Sequence, residues 1–218
     1  MAAGAPRVRV RAQALSSSPR FAPDSGGVCV LGVDPGTRLA GYAVLVVARG
    51  IVECRDIGVV VLPPELTLPR RLARLSVEMS RLVERYAPDG VAVEQAIYAQ
   101  NVRTALVLGQ ARGVVVGAAA LAGAEVFEYS PREVKRAVTG NGAASKQQVQ
   151  GMMRRLLALG RAPGADEADA AALAWCHLDR ARRSGIPRAS TSASGRPRRT
   201  SRWSLADVER LRAEGRIR

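Results

Sequence analysis

The chain has 218 residues, 47% of them hydrophobic, enough for one core of ordinary domain size plus extensions. Its 33 basic residues against 19 acidic ones leave a net charge of +14, a balance that favours a polyanionic partner, nucleic acid before anionic membrane. Cys29, Cys54 and Cys176 are far apart and show no C-x-x-C spacing, so neither a disulfide framework nor a zinc site is indicated, which fits a reducing cytosol. The most apolar stretch, Gly113 to Ala124, is too short to cross a bilayer and is expected to be a buried helix, so no membrane partner is expected.

Residues 1–27 are rich in Ala, Arg, Ser and Pro and are expected to be a disordered extension or a mis-assigned start. Val28 to Val33 is a short apolar, β-branched run of the kind that forms a buried strand, and it ends at Asp34. A carboxylate there is costly unless it is paired or liganding a metal. The Pro35-Gly36 turn follows, and Gly36 and Gly41 leave room for a backbone or a phosphate; the alternative is an Asx-capped turn. Tyr42 to Val47 and Ile51 to Leu62 are two more strand-like runs separated by Arg49-Gly50, so three antiparallel strands are expected.

From Thr67 the period changes. Leu68, Leu72, Leu75, Met79, Leu82 and Tyr86 recur at three and four residues, an amphipathic helix that ends at Ala87-Pro88. Val91 to Val93 is a second buried strand, and it too ends in a carboxylate, Glu94. Ala99 to Ala122 reads as a long helix with small residues on nearly every side, suited to close packing on a sheet or on a partner subunit. Glu125 to Tyr129 is the last strand.

Two helix starts carry full capping boxes: Ser130-Pro131-Arg132-Glu133, and Ser145-Lys146-Gln147-Gln148, whose helix is expected to run to about Leu159. Lys146 therefore joins an ammonium to the free N–H groups of a helix start, a combination suited to a phosphate; the alternative is a solvated surface lysine. The last core helix begins near Pro163 and carries Asp166 and Asp169, whose spacing of three puts both on one face. Glu167 is expected to complement the helix dipole, and His177 to be structural. Residues 184–218 are expected to be a basic flexible tail, in which Ser204 can cap a short helix with Trp203 and Val208 as its hydrophobic staple, making Trp203 to Glu214 a docking element.

Five blocks in this order, GVDPGTRLAGY, AVEQAIYAQN, ALVLGQARGV, FEYSPREVKRAVTGNGAASKQQVQ and ADEADAAALA, resemble the RuvC-type Holliday-junction resolvases from about Val28 to Leu178. The resemblance implies an α/β, RNase H-like nuclease domain over residues 28–183, with a mixed five-stranded sheet flanked by helices. It also implies that Asp34, Glu94, Asp166 and Asp169 hold two Mg2+ ions, which Mn2+ can replace. Lys146 would stabilise the transition state and Lys135 would hold the scissile strand. The reaction implied is symmetric hydrolysis of four-way junction DNA to nicks with 5′-phosphate ends, in recombination and repair. The partners implied are a second copy in a homodimer and the RuvA and RuvB branch-migration proteins, and the location implied is the bacterial cytoplasm.

One departure stands out: after Glu94-Gln95 the run is Ala96-Ile97-Tyr98, so Ile97 occupies the place of the family's stacking phenylalanine. Junction stacking then falls to Ile97 as a wedge or to Tyr98. Two other functions stay open on the sequence alone, an actin-like or kinase-like phosphotransferase and a junction-binding protein without catalysis.

Overall fold

The computed structural model describes residues 27–48, 50–95 and 102–183. Five strands, β1 (Val28–Asp34), β2 (Leu39–Ala48), β3 (Ile51–Val61), β4 (Gly90–Glu94) and β5 (Glu125–Tyr129), form one sheet in the order β3-β2-β1-β4-β5. β1, β2 and β3 are joined by short turns and pair antiparallel, as the sequence led us to expect. Longer crossovers through α1 (Leu68–Tyr86) and α2 (Val102–Leu121) bring β4 and β5 in parallel to β1, because a helical connection can return the chain in the same direction.

Alternation along β1 divides the molecule. Cys29, Leu31 and Val33 point to one face, where Leu75, Met79, Val83 and Tyr86 of α1 and Ala111, Val115 and Ala119 of α2 complete an apolar core. Val30 points to the other face, into a core built with α3 (Pro131–Thr139), α4 (Lys146–Leu156) and α5 (Ala165–Arg183). By the same alternation Asp34 belongs to this second face. At Gly32 an added Cβ would stand 2.0 Å from the carbonyl oxygen of Ala170 and 2.8 Å from the amide nitrogen of Ala174, so α5 lies in backbone contact with the sheet.

Several boundaries differ from the sequence reading. β2 starts at Leu39 rather than Tyr42, since Gly41, which interrupts the apolar run, still pairs with Asp34 and Val59. α4 ends at Leu156, short of Leu159. Ala158 adopts a left-handed conformation (φ 47°), while Leu157 remains buried after the helix has stopped, so the apolar pattern outruns the helix. Both capping boxes are formed as expected, with Ser130 and Ser145 each accepting from the backbone at the third helical position and receiving the reciprocal side chain. The helix start expected at Ala99, the stacking candidates Ile97 and Tyr98, residues 1–26, and the tail with the element expected from Trp203 to Glu214 lie outside the described residues.

Candidate active site

Val33 of β1 is paired with Val93 of β4, so Asp34 and Glu94 follow as the last residues of two neighbouring parallel strands, on the same face. The second pair of carboxylates arrives from α5. Gly41 is the partner of Asp34 in β2, and an added Cβ there would lie 2.0 Å from the Asp166 carbonyl oxygen and 3.1 Å from the Asp166 Cβ. The space at Gly41 therefore admits the first turn of α5. Asp166 and Asp169, three residues apart, are both half-buried beside the strand ends. Lys146 opens α4 behind its Ser145 cap, with its side chain 80% exposed and its Nζ 3.9 Å from Asp169 Oδ2.

Charge accumulates at this corner. Burial and then the neighbouring charges of Asp169, Glu94 and Asp166 push the Asp34 carboxyl up to about 7, with Lys146 opposing them. Glu94 is raised by burial and then by Asp169, again against Lys146. Asp169 is raised by burial, while Lys146 and Lys135 pull it down and Asp166 pushes it up. Asp34 thus feels all three other carboxylates and Asp169 feels both lysines, and the site holds more negative charge than its own cations balance. An all-carboxylate donor set of this kind fits a hard divalent cation, whose binding would favour the ionised forms. As they stand, the carboxylates are neighbours rather than a closed cage: among the described residues no three acidic, histidine or cysteine side chains are gathered around one ion position.

The family model "Crossover junction endodeoxyribonuclease RuvC" matches residues 30–177. The chain belongs to the RuvC family. It is 42% identical to the crossover junction endodeoxyribonuclease RuvC of Syntrophomonas wolfei over 170 residues, which cover 78% of this chain and 99% of that one. The RuvC of Anaeromyxobacter dehalogenans is 48% identical over 152 residues, 69% of this chain and 80% of the relative. The solved structure of Thermus thermophilus RuvC in complex with Holliday junction substrate superposes with a TM-score of 0.68 at 33% identity, covering 72% of this chain and 96% of that one. The RNase H-like α/β fold expected from the sequence is the fold observed, and membership of a nuclease family sets aside the phosphotransferase alternative.

On this RuvC scaffold the structure brings together Asp34, Glu94, Asp166, Asp169 and Lys146. Lys135 lies on α3, half-buried, and lines a cavity of about 710 Å3 with Arg132, Arg136 and the loop from Gly140 to Ala143. That cavity has three cationic side chains and no carboxylate. Other residues shape the site beyond what the sequence predicts for them. Arg112, in the middle of α2, donates from Nε to the Glu94 carbonyl at 3.3 Å and pairs with Glu128, bracing the end of β4. Its signal in the sequence is a charge placed deep inside a largely apolar helix. Glu167 is more than a dipole complement: its side chain is 10% exposed and is held by both terminal nitrogens of Arg161 at 2.7 Å. His177 is structural, with its Nδ1 2.8 Å from the Tyr129 hydroxyl, its ring 4.2 Å from that of Phe127, and its basicity lowered by burial and by Arg180.

Proposed function

We propose that this RuvC-family chain resolves four-way DNA junctions by metal-dependent hydrolysis of one phosphodiester on each of two opposed strands, leaving 5′-phosphate nicks, in recombination and repair. The observation that carries the reading is the convergence of four mutually repelling carboxylates at the ends of β1 and β4 and the start of α5, beside an exposed lysine. Asp34, Glu94, Asp166 and Asp169 would hold the cations, which we take to be two Mg2+ ions, with Mn2+ an effective substitute. When bound, such ions supply a water nucleophile at neutral pH and stabilise the charge of the leaving oxygen. The protein's own part is to hold the scissile phosphate. Lys146 donates to it from a capped helix start, where the helix dipole adds to the ammonium charge, and Lys135 with the basic cavity of α3 holds the adjoining strand.

Two cuts on opposed strands need two sites, and a homodimer supplies them. α2 supports that arrangement: Ala111, Val115 and Ala119 are buried against the protein, whereas Val102, Leu106, Leu108 and Leu121 are exposed. This helix is long and apolar enough by length and composition to cross a membrane, contrary to the sequence reading, yet a second copy is the cover we propose for its outer side. Stacking at the junction centre by Ile97 or Tyr98, cooperation with RuvA and RuvB, and a bacterial cytoplasmic location complete the proposal.

The test is a synthetic four-way junction incubated with the full chain in Mg2+, beside a linear duplex of the same sequence and an EDTA control. Paired, symmetric cuts in the junction alone support the reading. Junction binding without cleavage in Mg2+ or Mn2+ would leave a binding protein without catalysis.

A further inference from the structure

α5 carries two of the proposed ligands in its first turns, where a helix has free N–H groups and frays most readily. α3 and α4 each protect their own first turn with a serine capping box, but in α5 the residue before Ala165 is Gly164, which has no side chain to cap with. The structure replaces the missing cap. The Gly164 N–H donates to Glu167 Oε2 at 2.7 Å, the half of a capping box that the third helical residue supplies, while the Gly164 carbonyl accepts the first helical bond from Ala168 at 2.9 Å. Arg161 Nη1 and Nη2 then close on Glu167 Oε2 and Oε1, each at 2.7 Å, a bidentate pair on a carboxylate that is buried. The loop is fixed on its other side as well, because Gln150 Nε2 donates to the Pro163 carbonyl and Gln150 lies one turn beyond Lys146 on α4.

Glu167 is not a fifth member of the carboxylate group. At about 100° per residue it points away from its neighbour Asp166, and it is absent from the charges that shift Asp34, Glu94 and Asp169. We propose that the Arg161–Glu167 clamp, with Gly164 and the Gln150–Pro163 bond, is a positioning device that ties the first turn of α5 to α4 and so sets Asp166 and Asp169 against Lys146. This rests on the reading of those residues given above. The competing views are that Arg161, whose side chain is 62% exposed, is a DNA-phosphate contact, or that the pair is an ordinary surface ion pair worth little.

Arg161→Leu, Arg161→Lys, Glu167→Gln and the Arg161→Leu/Glu167→Gln double variant separate these views in the full chain. In the metal-free protein, hydrogen exchange at the Ala168 and Asp169 amides should quicken by about tenfold or more in Arg161→Leu, with α3 unchanged. Single-turnover cleavage of pre-bound four-way junction should fall by about tenfold, a small misplacement of the reacting groups, and should need more Mg2+, while junction affinity stays within about twofold. Arg161→Lys should recover part of the loss, and the double variant should be no slower than the slower single. Weakened junction binding with an unchanged pre-bound cleavage rate would overturn the proposal in favour of a phosphate contact, and unchanged exchange at Ala168 and Asp169 would overturn it outright. If the wild type cuts no junction while exchange at those amides still quickens, the clamp stands as the device that orders this turn and the nuclease reading fails.

Discussion

On the α1 and α2 side of the sheet, Leu75, Met79 and Val83 of α1 fill the space against the strands with branched and flexible apolar side chains, whereas on the other side α5 rests on Gly32 and Gly41 with alanines between. The first side is a core in the ordinary sense, where volume is filled and a methylene more or less changes stability. The second gives up side-chain volume for proximity. Only because Gly41 lacks a Cβ can the backbone of Asp166 reach the strand next to Asp34, and Gly32 does the same for Ala170 and Ala174, so the carboxylate corner depends on close backbone approach. Charge follows the same division. The proposed ligands and both lysines of the chain lie on the α5 side, and residues 28–183 carry a net charge of only +5, with 20 basic against 15 acidic residues. Most of the +14 therefore falls in the terminal segments.

The sharpest way to test the α5 side is Lys146. Lys146→Arg should be nearly as damaging as Lys146→Ala, each slowing single-turnover cleavage by on the order of 10² to 10³ with binding little changed, because a planar guanidinium would pair with Asp169 rather than donate as a compact charge. Next comes Gly41→Ala. Its methyl would meet the Asp166 carbonyl, a backbone atom that cannot swing aside, so α5 must shift and pre-bound cleavage should drop by about 10². An unaltered rate would show that the close approach is incidental.

The contrasting perturbation belongs to the other face. Leu75 is fully buried among α1, α2 and the sheet, and Leu75→Ala should cost about 2–5 kcal/mol in denaturant unfolding while leaving the cleavage rate unchanged well below the melting temperature. The smallest effect concerns Asp34 itself. Its carboxyl is raised from 3.8 to about 7, so between those values the metal-free folded protein binds more protons than the unfolded chain, and stability falls as pH rises from about 4 to 7 and stays lower above. Asp34→Asn should remove this slope, stabilising the metal-free protein by about 1–3 kcal/mol at pH 8 and leaving it unchanged at pH 4. Thermal unfolding in EDTA at the two pH values measures it.

Much of the α5 side was legible in the sequence. Capping boxes are local chemistry, so Ser130 and Ser145 marked two helix starts correctly, and a carboxylate closing an apolar strand stood out at both Asp34 and Glu94. Contacts made across the fold were harder to read. Gly41 signals a close approach by a backbone or a phosphate without saying which, and the backbone of Asp166 is what fills the space. Glu167 reads as a dipole complement in the sequence because its partner, Arg161, precedes the helix in a loop that shows no pattern. The sequence pattern makes α4 longer than it is, since Leu157 is buried after the helix has ended and burial is what periodicity reports.

The most direct measurement is single-turnover cleavage of a pre-bound synthetic four-way junction at saturating Mg2+, by the wild type beside Asp34→Asn, Glu94→Gln, Asp166→Asn and Asp169→Asn. If four carboxylates act together as the metal-holding group, the wild type cuts both opposed strands and each variant binds the junction but does not cut it. Cleavage at the wild-type rate by any two of the variants would contradict that assignment.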